Sequence, residues 1–466
     1  MKSRGYIATQ LTMCCRHCAR TAAAAALLIC VCCINTAAHC ETLQEVLLRF
    51  YKDGATLKSA RETAAAADES VPQARSAERP TIEVDARDGY SQDRVQTAEP
   101  FPVPSSSFQY PSRSYSLIVT QPLYRGGRTN AEIQAATYRA RSGQANLRAT
   151  EEASLIKVIQ DYLDVAEAQS DLSTYQQETD YYADQLRKAE QRLKIGEADR
   201  SDLELAQAAY LKAQATAGQA SGRLDVARVE LYKDAGFAVE SASLDLSLPD
   251  YPDDRLADED LALKNDASVA QTWAEAERAR YNVKDARGAL LPTVSLQGVL
   301  QRDEVHDGSD RVESVKSVAV QLRVPLYDGG LAASQIRQAK ATYQARLADE
   351  QQARLAALAD ADSAYAQWLS SMRTLTAFKA ATEAYGRARE TVEKQKDLGE
   401  KSELDVLIAR QNESESTIAY IGAKKSNVLA YFERSYARGT LLKDTVGSSN
   451  VFDPTVYYKQ VNRKLF

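Results

Sequence analysis

Residues 121–130 read QPLYRGGRTN, and residues 324–333 read VPLYDGGLAA. Each phrase joins an alternating, strand-like run to a long helix-like one, so one chain writes the same junction twice. Gly126 and Gly329 open the two glycine pairs at an offset of 203 residues. The offset holds elsewhere. Tyr124 maps onto Tyr327, Ile133 onto Ile336, Tyr162 onto Tyr365, Tyr182 onto Tyr385, Gly196 onto Gly399 and Asp202 onto Asp405. Upstream, Pro80 pairs with Pro292 and Ala55 with Ala267, an offset of 212. The difference falls in EPFPVPSSSFQYP (99–111), which reads as a loop. The chain is thus read as an internal duplication, residues 41–253 and 254–466. Two copies are too few for a solenoid, so each is one segment of something larger.

Both copies follow one order. A lead helix (Thr42–Ala77; Ala257–Leu290) ends at a proline, which cannot continue it. Two alternating runs follow, expected as strands over 81–90 and 114–124 in copy one and over 293–302 and 317–327 in copy two. In the last of these, Val318, Val320, Leu322, Val324 and Leu326 alternate with Ala319, Gln321, Arg323 and Pro325. Runs of about ten residues suit a tilted strand crossing a bilayer. They equally suit a half-buried hairpin in a soluble sheet, and alternation alone favours the hairpin.

Long helical hairpins are expected at 126–238 and 329–441. No proline intervenes between Gly126 and Gly196, and about seventy residues at 1.5 Å each give about 105 Å of helix. Leu172, Tyr175, Thr179, Tyr182, Leu186, Ala189 and Leu193 step by threes and fours, a seam for packing against another helix. The hairpins turn at RLKIGEADRSDLELAQAAY (192–210) and QKDLGEKSELDVLIARQNE (395–413). Gly196 and Gly399 suit the left-handed position past a helix end. Ser201 and Ser402 suit N-caps, and Asp202 and Asp405 suit the first turn of the next helix.

Composition narrows the function. All seven cysteines lie within the first forty residues, where Arg16 and Arg20 precede an apolar stretch and Thr36-Ala37-Ala38 offers a cleavage site. Residues 1–40 therefore read as a secretory signal, with Met13 an alternative start. His39 and Ala37 stand where a lipoprotein signal wants a small residue and a leucine, which argues against lipid on Cys40. Losing Lys2, Arg4, Arg16 and Arg20 takes the formal charge from −6 to −10, unsuited to nucleic acid. One histidine, His306, and no cysteine would then remain. With no Walker motif and no ligand cluster either, neither an enzyme nor a cofactor or metal site is expected. Carboxylate pairs such as Glu151-Glu152 read as solvated helix faces.

The doubled helix–strand–strand–helix unit, the PLYRGG and PLYDGG junctions and the two G-x₅-D turns together resemble the TolC family. That family comprises outer-membrane channels of efflux pumps and type I secretion systems. The resemblance implies a mainly α fold with a small transmembrane β part: two tandem repeats trimerise into a 12-stranded β-barrel on a long α-helical tunnel. It implies a passive export duct in the outer membrane with a large periplasmic part. Its partners would be outer-membrane lipid, a periplasmic adaptor and, through the adaptor, an inner-membrane pump or ABC transporter. By position, Pro122, Tyr124, Gly126, Gly127, Pro325, Tyr327, Gly329 and Gly330 would form the strand-to-helix junctions. The loops at 94–112 and 304–316 would face outward. Asp405 and Ile408 would constrict the pore, Asp202 and Lys401 would latch the closed tip, and Ile195, Gly196, Leu398 and Gly399 would meet the adaptor. The alternative is an exported coiled-coil spacer or stalk, which explains the seams but not the doubled junction.

Overall fold

A computed structural model describes residues 41–95, 106–197, 199–246, 248–249, 252–306 and 311–447. The expected leader, 1–40, lies outside the described residues, as do parts of both expected outward loops. The described chain is mainly helical with one four-stranded sheet. The first copy contributes α1 (Leu43–Asp53), α2 (Ala55–Asp68), α3 (Ser70–Ser76), β1 (Thr81–Val95), β2 (Ser106–Arg125), α4 (Arg128–Lys194) and α5 (Arg200–Ala235). The second contributes α6 (Arg255–Asn265), α7 (Ala267–Gly288), β3 (Thr293–Val305), β4 (Arg311–Arg323), α8 (Leu331–Asp397), α9 (Glu403–Ala437) and α10 (Leu441–Val446). No helix among the described residues is long and apolar enough to cross a membrane.

Both lead helices are broken rather than continuous. Gly54 divides the first at a point where a side chain would lie 2.7 Å from the Phe50 carbonyl oxygen. Asp266 restarts the second, its carboxylate accepting from the Val269 N–H at 2.9 Å as an N-cap.

The strands form an antiparallel meander in the order β1-β2-β3-β4 and run past the bounds expected from sequence at their outward ends, whereas β4, expected to reach 327, ends at Arg323, ahead of Pro325. Ser106–Pro111, expected as loop, extends β2 along β1, with Pro111 opposite Tyr90. The β2–β3 ladder begins only at Ser112, opposite Val305. Pro111 turns its carbonyl, and so the N–H it lacks, towards that unladdered side, where the carbonyl accepts from the His306 N–H at 3.1 Å. Proline is therefore tolerated inside this strand.

The chain divides into two compact units. One is drawn from Leu47–Lys157, Leu248–Ala377 and Ser426–Phe466. It holds the whole sheet and a core around Phe50, Leu57, Leu155, Ala262 and Leu441. Within it Arg434, only 1% exposed, donates from Nε to Asp258 at 2.7 Å and from Nη2 to the Pro252 carbonyl at 2.7 Å. Its guanidinium lies 4.2 Å from the centre of the Trp368 ring. Removing one partner of such a buried pair strands a charge, which is why it fixes geometry. Glu151 and Glu152 also lie here and correct the expectation of a solvated face, since both are 3% exposed. Arg61 reaches Glu151 at 3.4 Å, and Arg148 bridges Glu152 at 3.2 Å to the Gly439 carbonyl at 2.6 Å.

The other unit is drawn from Met1–Val46, Val158–Ser247 and Phe378–Lys425. Its core is built from Val158, Ile159, Tyr162 and Leu163 of α4, Leu224 and Leu231 of α5, and Val406 of α9. The Tyr162 hydroxyl donates to the Glu41 carbonyl at 3.0 Å and accepts from the Ser243 N–H at 3.1 Å.

Candidate functional site

Because directly opposed residues of an antiparallel pair share a face, the register sorts the side chains of the sheet. Ile82 stands opposite Val119, Val119 opposite Gly298, and Gly298 opposite Val318. The next row outward is Val84, Leu117, Leu300 and Lys316; rows nearer the helices add Leu296 with Val320 and Val294 with Leu322. One face is thus largely apolar across all four strands, with Gln121 opposite Leu296 as a polar member. On the edge strands it is open to the surroundings, Val84 being 75% exposed and Val318 79%, while Leu117, Val119 and Leu296 on the inner strands are half-buried. The opposite face is mainly polar, with Glu83, Asp85, Arg87, Ser116, Gln301, Asp303 and Gln321, and holds Ile118, Val299 and Val315 among them. Strands β1 and β4 each have one unpaired edge. A broad apolar face and two bare edges are a poor surface in water.

The two junctions differ. Pro122 and Tyr124 lie inside β2 at a bulge, beyond which Tyr124 pairs with Val294. Pro122 therefore interrupts the ladder rather than ending it, whereas Pro325 and Tyr327 follow the end of β4. Gly126 and Gly127 have φ of 64° and 73°, and Gly329 and Gly330 have 69° and 88°. All four occupy the left-handed region that a glycine enters without strain. Only Gly126 is also crowded, since a side chain there would meet the Gly288 carbonyl oxygen at 2.5 Å.

In the second unit the hairpin tips carry the other candidate residues. Ile195 and Leu398 are strongly exposed on the turns, beside Gly196 and Gly399, both at φ 79°. At the α9 start, Ser402 Oγ accepts from the Asp405 N–H at 3.2 Å, and the Ser402 N–H donates to Asp405 Oδ2 at 2.9 Å. This reciprocal capping box holds the Asp405 carboxyl below the usual carboxylate range, chiefly through the Ser402 N–H, then the Ser402 hydroxyl and Lys401. The α5 start differs: Asp199, not Ser201, occupies the N-cap position, so Ser201 and Asp202 fall within the first turn.

Asp202 and Lys401 line one hollow of about 540 Å³, together with Tyr182, Lys188, Arg192 and Leu404. No ion pair joins them; the Lys401 ammonium lies 3.8 Å from Asp405 instead. Ile408 is half exposed and lines an adjoining hollow of about 440 Å³ with Glu178 and Ser414. Around these hollows the helices are laced together. Arg389 reaches Glu393 and Glu413, Arg410 reaches Glu393 at 2.7 Å and stacks 3.5 Å over the Tyr181 ring, and Ser414 donates to Glu178 at 2.9 Å. The sequence did not flag this lacing; its local trace is the helical spacing of Arg389 and Glu393 on α8 and of Arg410 and Glu413 on α9. Deeper in the unit, burial and then neighbouring Glu167 push the Asp171 carboxyl up to about 6.

Comparison with known proteins adds an independent line. The family model described as "Outer membrane efflux protein" matches residues 53–236 and 260–431, one segment in each copy. The chain is 28% identical over 458 residues to the outer membrane efflux protein BepC of Brucella suis, covering 97% of each chain. It is 24% identical over 427 residues to the outer membrane protein TolC of Vibrio cholerae, covering 90% of this chain and 95% of the relative. Its fold is similar to that of the Campylobacter jejuni CmeC outer membrane channel, with a TM-score of 0.75, 17% identity, and 90% and 89% of the two chains covered.

Proposed function

Since the chain belongs to the outer membrane efflux protein family, and so is an outer-membrane channel component of an efflux or type I secretion machine, we propose that three copies close one passive export duct. The observation that carries this reading is the sheet. Most of its apolar residues share one open face, with Ile118, Val299 and Val315 exceptions among the polar residues opposite, and both of its edges are bare. In lipid an open edge leaves backbone groups unsatisfied, so four strands cannot span a bilayer alone. Closure needs about eight strands at least; three copies would supply twelve. The apolar face then meets lipid, the polar face lines the lumen, and the β1–β2 and β3–β4 turns face outward from the cell.

The helical hairpins carry the duct through the periplasm, and their tips form its entrance. Asp405 and Ile408 narrow that entrance. Asp202 and Lys401, already on one hollow, form the latch between tip motifs. The exposed Ile195 and Leu398, with Gly196 and Gly399, offer the adaptor its contact. The chain supplies no energy; an inner-membrane pump or ABC transporter does so through the adaptor, whose binding biases a shift of the tip helices.

The test is the mass of the detergent-solubilised protein, corrected for bound detergent. A trimer is expected, together with ion conductance in a planar bilayer. A monomer that stays soluble after detergent removal would overturn the reading.

A further inference from the structure

The apolar face of the sheet has a charged boundary, and the boundary is oblique. Read outward from the helices on that face, β1 runs Ile82, Val84, Ala86 and then Asp88; β2 runs Val119, Leu117, Tyr115 and then Arg113. On β3, Val294, Leu296, Gly298 and Leu300 precede Arg302; on β4, Leu322, Val320 and Val318 precede Lys316. Asp88 and Arg113 share a row, opposite Glu304. Arg302 lies one row nearer the helices, and Lys316, opposite Leu300, one row nearer again. The boundary thus drops about 13 Å along the strands while crossing about 14 Å of sheet, an inclination of about 43°. Strands of transmembrane barrels tilt by roughly 35–45°. A level membrane surface cutting such strands would leave this staircase.

The charges on the staircase are not all balanced. Arg113 lies 3.5 Å from Asp88, and Arg302 lies 2.8 Å from Glu304. Lys316 has no ionic or hydrogen-bond partner among the described residues, and it is exposed. Its neighbours on this face are Leu300 opposite, Gly298 and Arg302 diagonally, and Ser314 and Val318 along its own strand. None is a carboxylate. Gly298 has nothing within 4 Å of where a side chain would sit, which leaves space beside the lysine stem. A lysine at such a level can lay its stem on the apolar face and lift its ammonium to the interface. There a phosphate is the matching anion, held by charge-assisted hydrogen bonds.

We propose that Lys316, with Arg302 diagonal to it, binds the phosphate headgroup of a lipid of the outward leaflet, one per chain. The acyl chains of that lipid would lie on Leu300, Val318 and Leu117. The site rests on the reading that the apolar face meets lipid. Because β4 is an edge strand, a rival counter-charge is Asp88 of a second copy, whose side chain is well exposed.

The full chain, purified in detergent, is titrated with phosphatidylglycerol, with a phosphate-free galactosyl diacylglycerol and with inorganic phosphate, and bound molecules are counted by native mass spectrometry. The expected result is at least a tenfold preference for phosphatidylglycerol over the galactolipid. Lys316→Gln should abolish that preference and Lys316→Arg should keep it, while millimolar inorganic phosphate should not displace the lipid. An unchanged preference in Lys316→Gln would overturn the site. Displacement by inorganic phosphate would replace the lipid with a free anion. Dissociation of the assembly by both Lys316→Gln and Asp88→Asn would reassign Lys316 to a contact between copies. A wild-type protein that fails to float with vesicles would instead sink the membrane reading itself, which separates the two failures.

Discussion

Glu152 shows how far the setting of one residue can overrule its type. Burial pushes its carboxyl up to about 7 from 4.5, only partly offset by Arg148. The folded chain therefore holds a proton that the unfolded chain releases near 4.5, and folding takes up a proton between these values. Stability from this group is complete below about pH 4.5 and is lost as pH rises through 7, by about 3 kcal/mol. Glu152→Gln keeps the shape and removes the charge. The thermal midpoint in detergent at pH 8 should rise relative to the parent, with little change at pH 5. An unaltered pH slope would mean that Glu152 is ionised throughout. Asp405 has the opposite setting, because the capping box favours its charged form. Asp405→Asn keeps an acceptor for the Ser402 N–H, so it isolates charge from helix capping. Block of the channel by polyvalent cations in a planar bilayer should weaken in this variant, and unchanged block would remove Asp405 from the constriction.

The elements show which parts of the fold a single sequence can carry. The duplicated offset, the glycine pairs and the heptad seam are local or periodic signals, and the helices follow them closely. α4 runs from Arg128 and α8 from Leu331, each just past its glycine pair. Other features depend on partners remote in the chain and left no local trace. Glu151 is buried because Arg61 of α2 comes to it, and nothing near residue 151 announces that. Ser106–Pro111 looks like loop by composition, yet β1 and the end of β3 supply a strand environment that accepts its proline. Among the tip residues, position was legible and pairing was not: Lys401 turns to Asp405 rather than to Asp202.

The two junctions also separate backbone strain from crowding. Gly329→Ala places a side chain in open space and should cost only the left-handed penalty, about 1–2 kcal/mol. Gly126→Ala adds a clash with the Gly288 carbonyl and with Leu291 Cβ at 2.8 Å. Its loss of thermal stability should be clearly the larger. Equal losses would show that the strand-to-helix turn of copy one can shift away from α7.

At the scale of the whole molecule, everything turns on which face of the sheet meets lipid. Val320 and Gln321 are consecutive on β4, so pleating puts them on opposite faces at nearly the same depth. Val320 stands opposite Leu296 on the apolar side, and Gln321 stands opposite Ser295 on the polar side. An arginine on the lipid side of a barrel costs about 2–4 kcal/mol near the bilayer midplane, whereas a lumen position is wet and tolerates it. In an assembly of three copies the lipid-side cost is paid three times, while the lumen gains three positive charges. Val320→Arg should therefore abolish recovery in the membrane fraction. Gln321→Arg should leave recovery intact and shift the reversal potential in a salt gradient towards anions. These opposite outcomes cannot come from a soluble sheet, in which neither position borders a bilayer. Equal recovery of both variants, with the same reversal potential as the parent, would detach the apolar face from the membrane and with it the argument for closing the barrel with three chains.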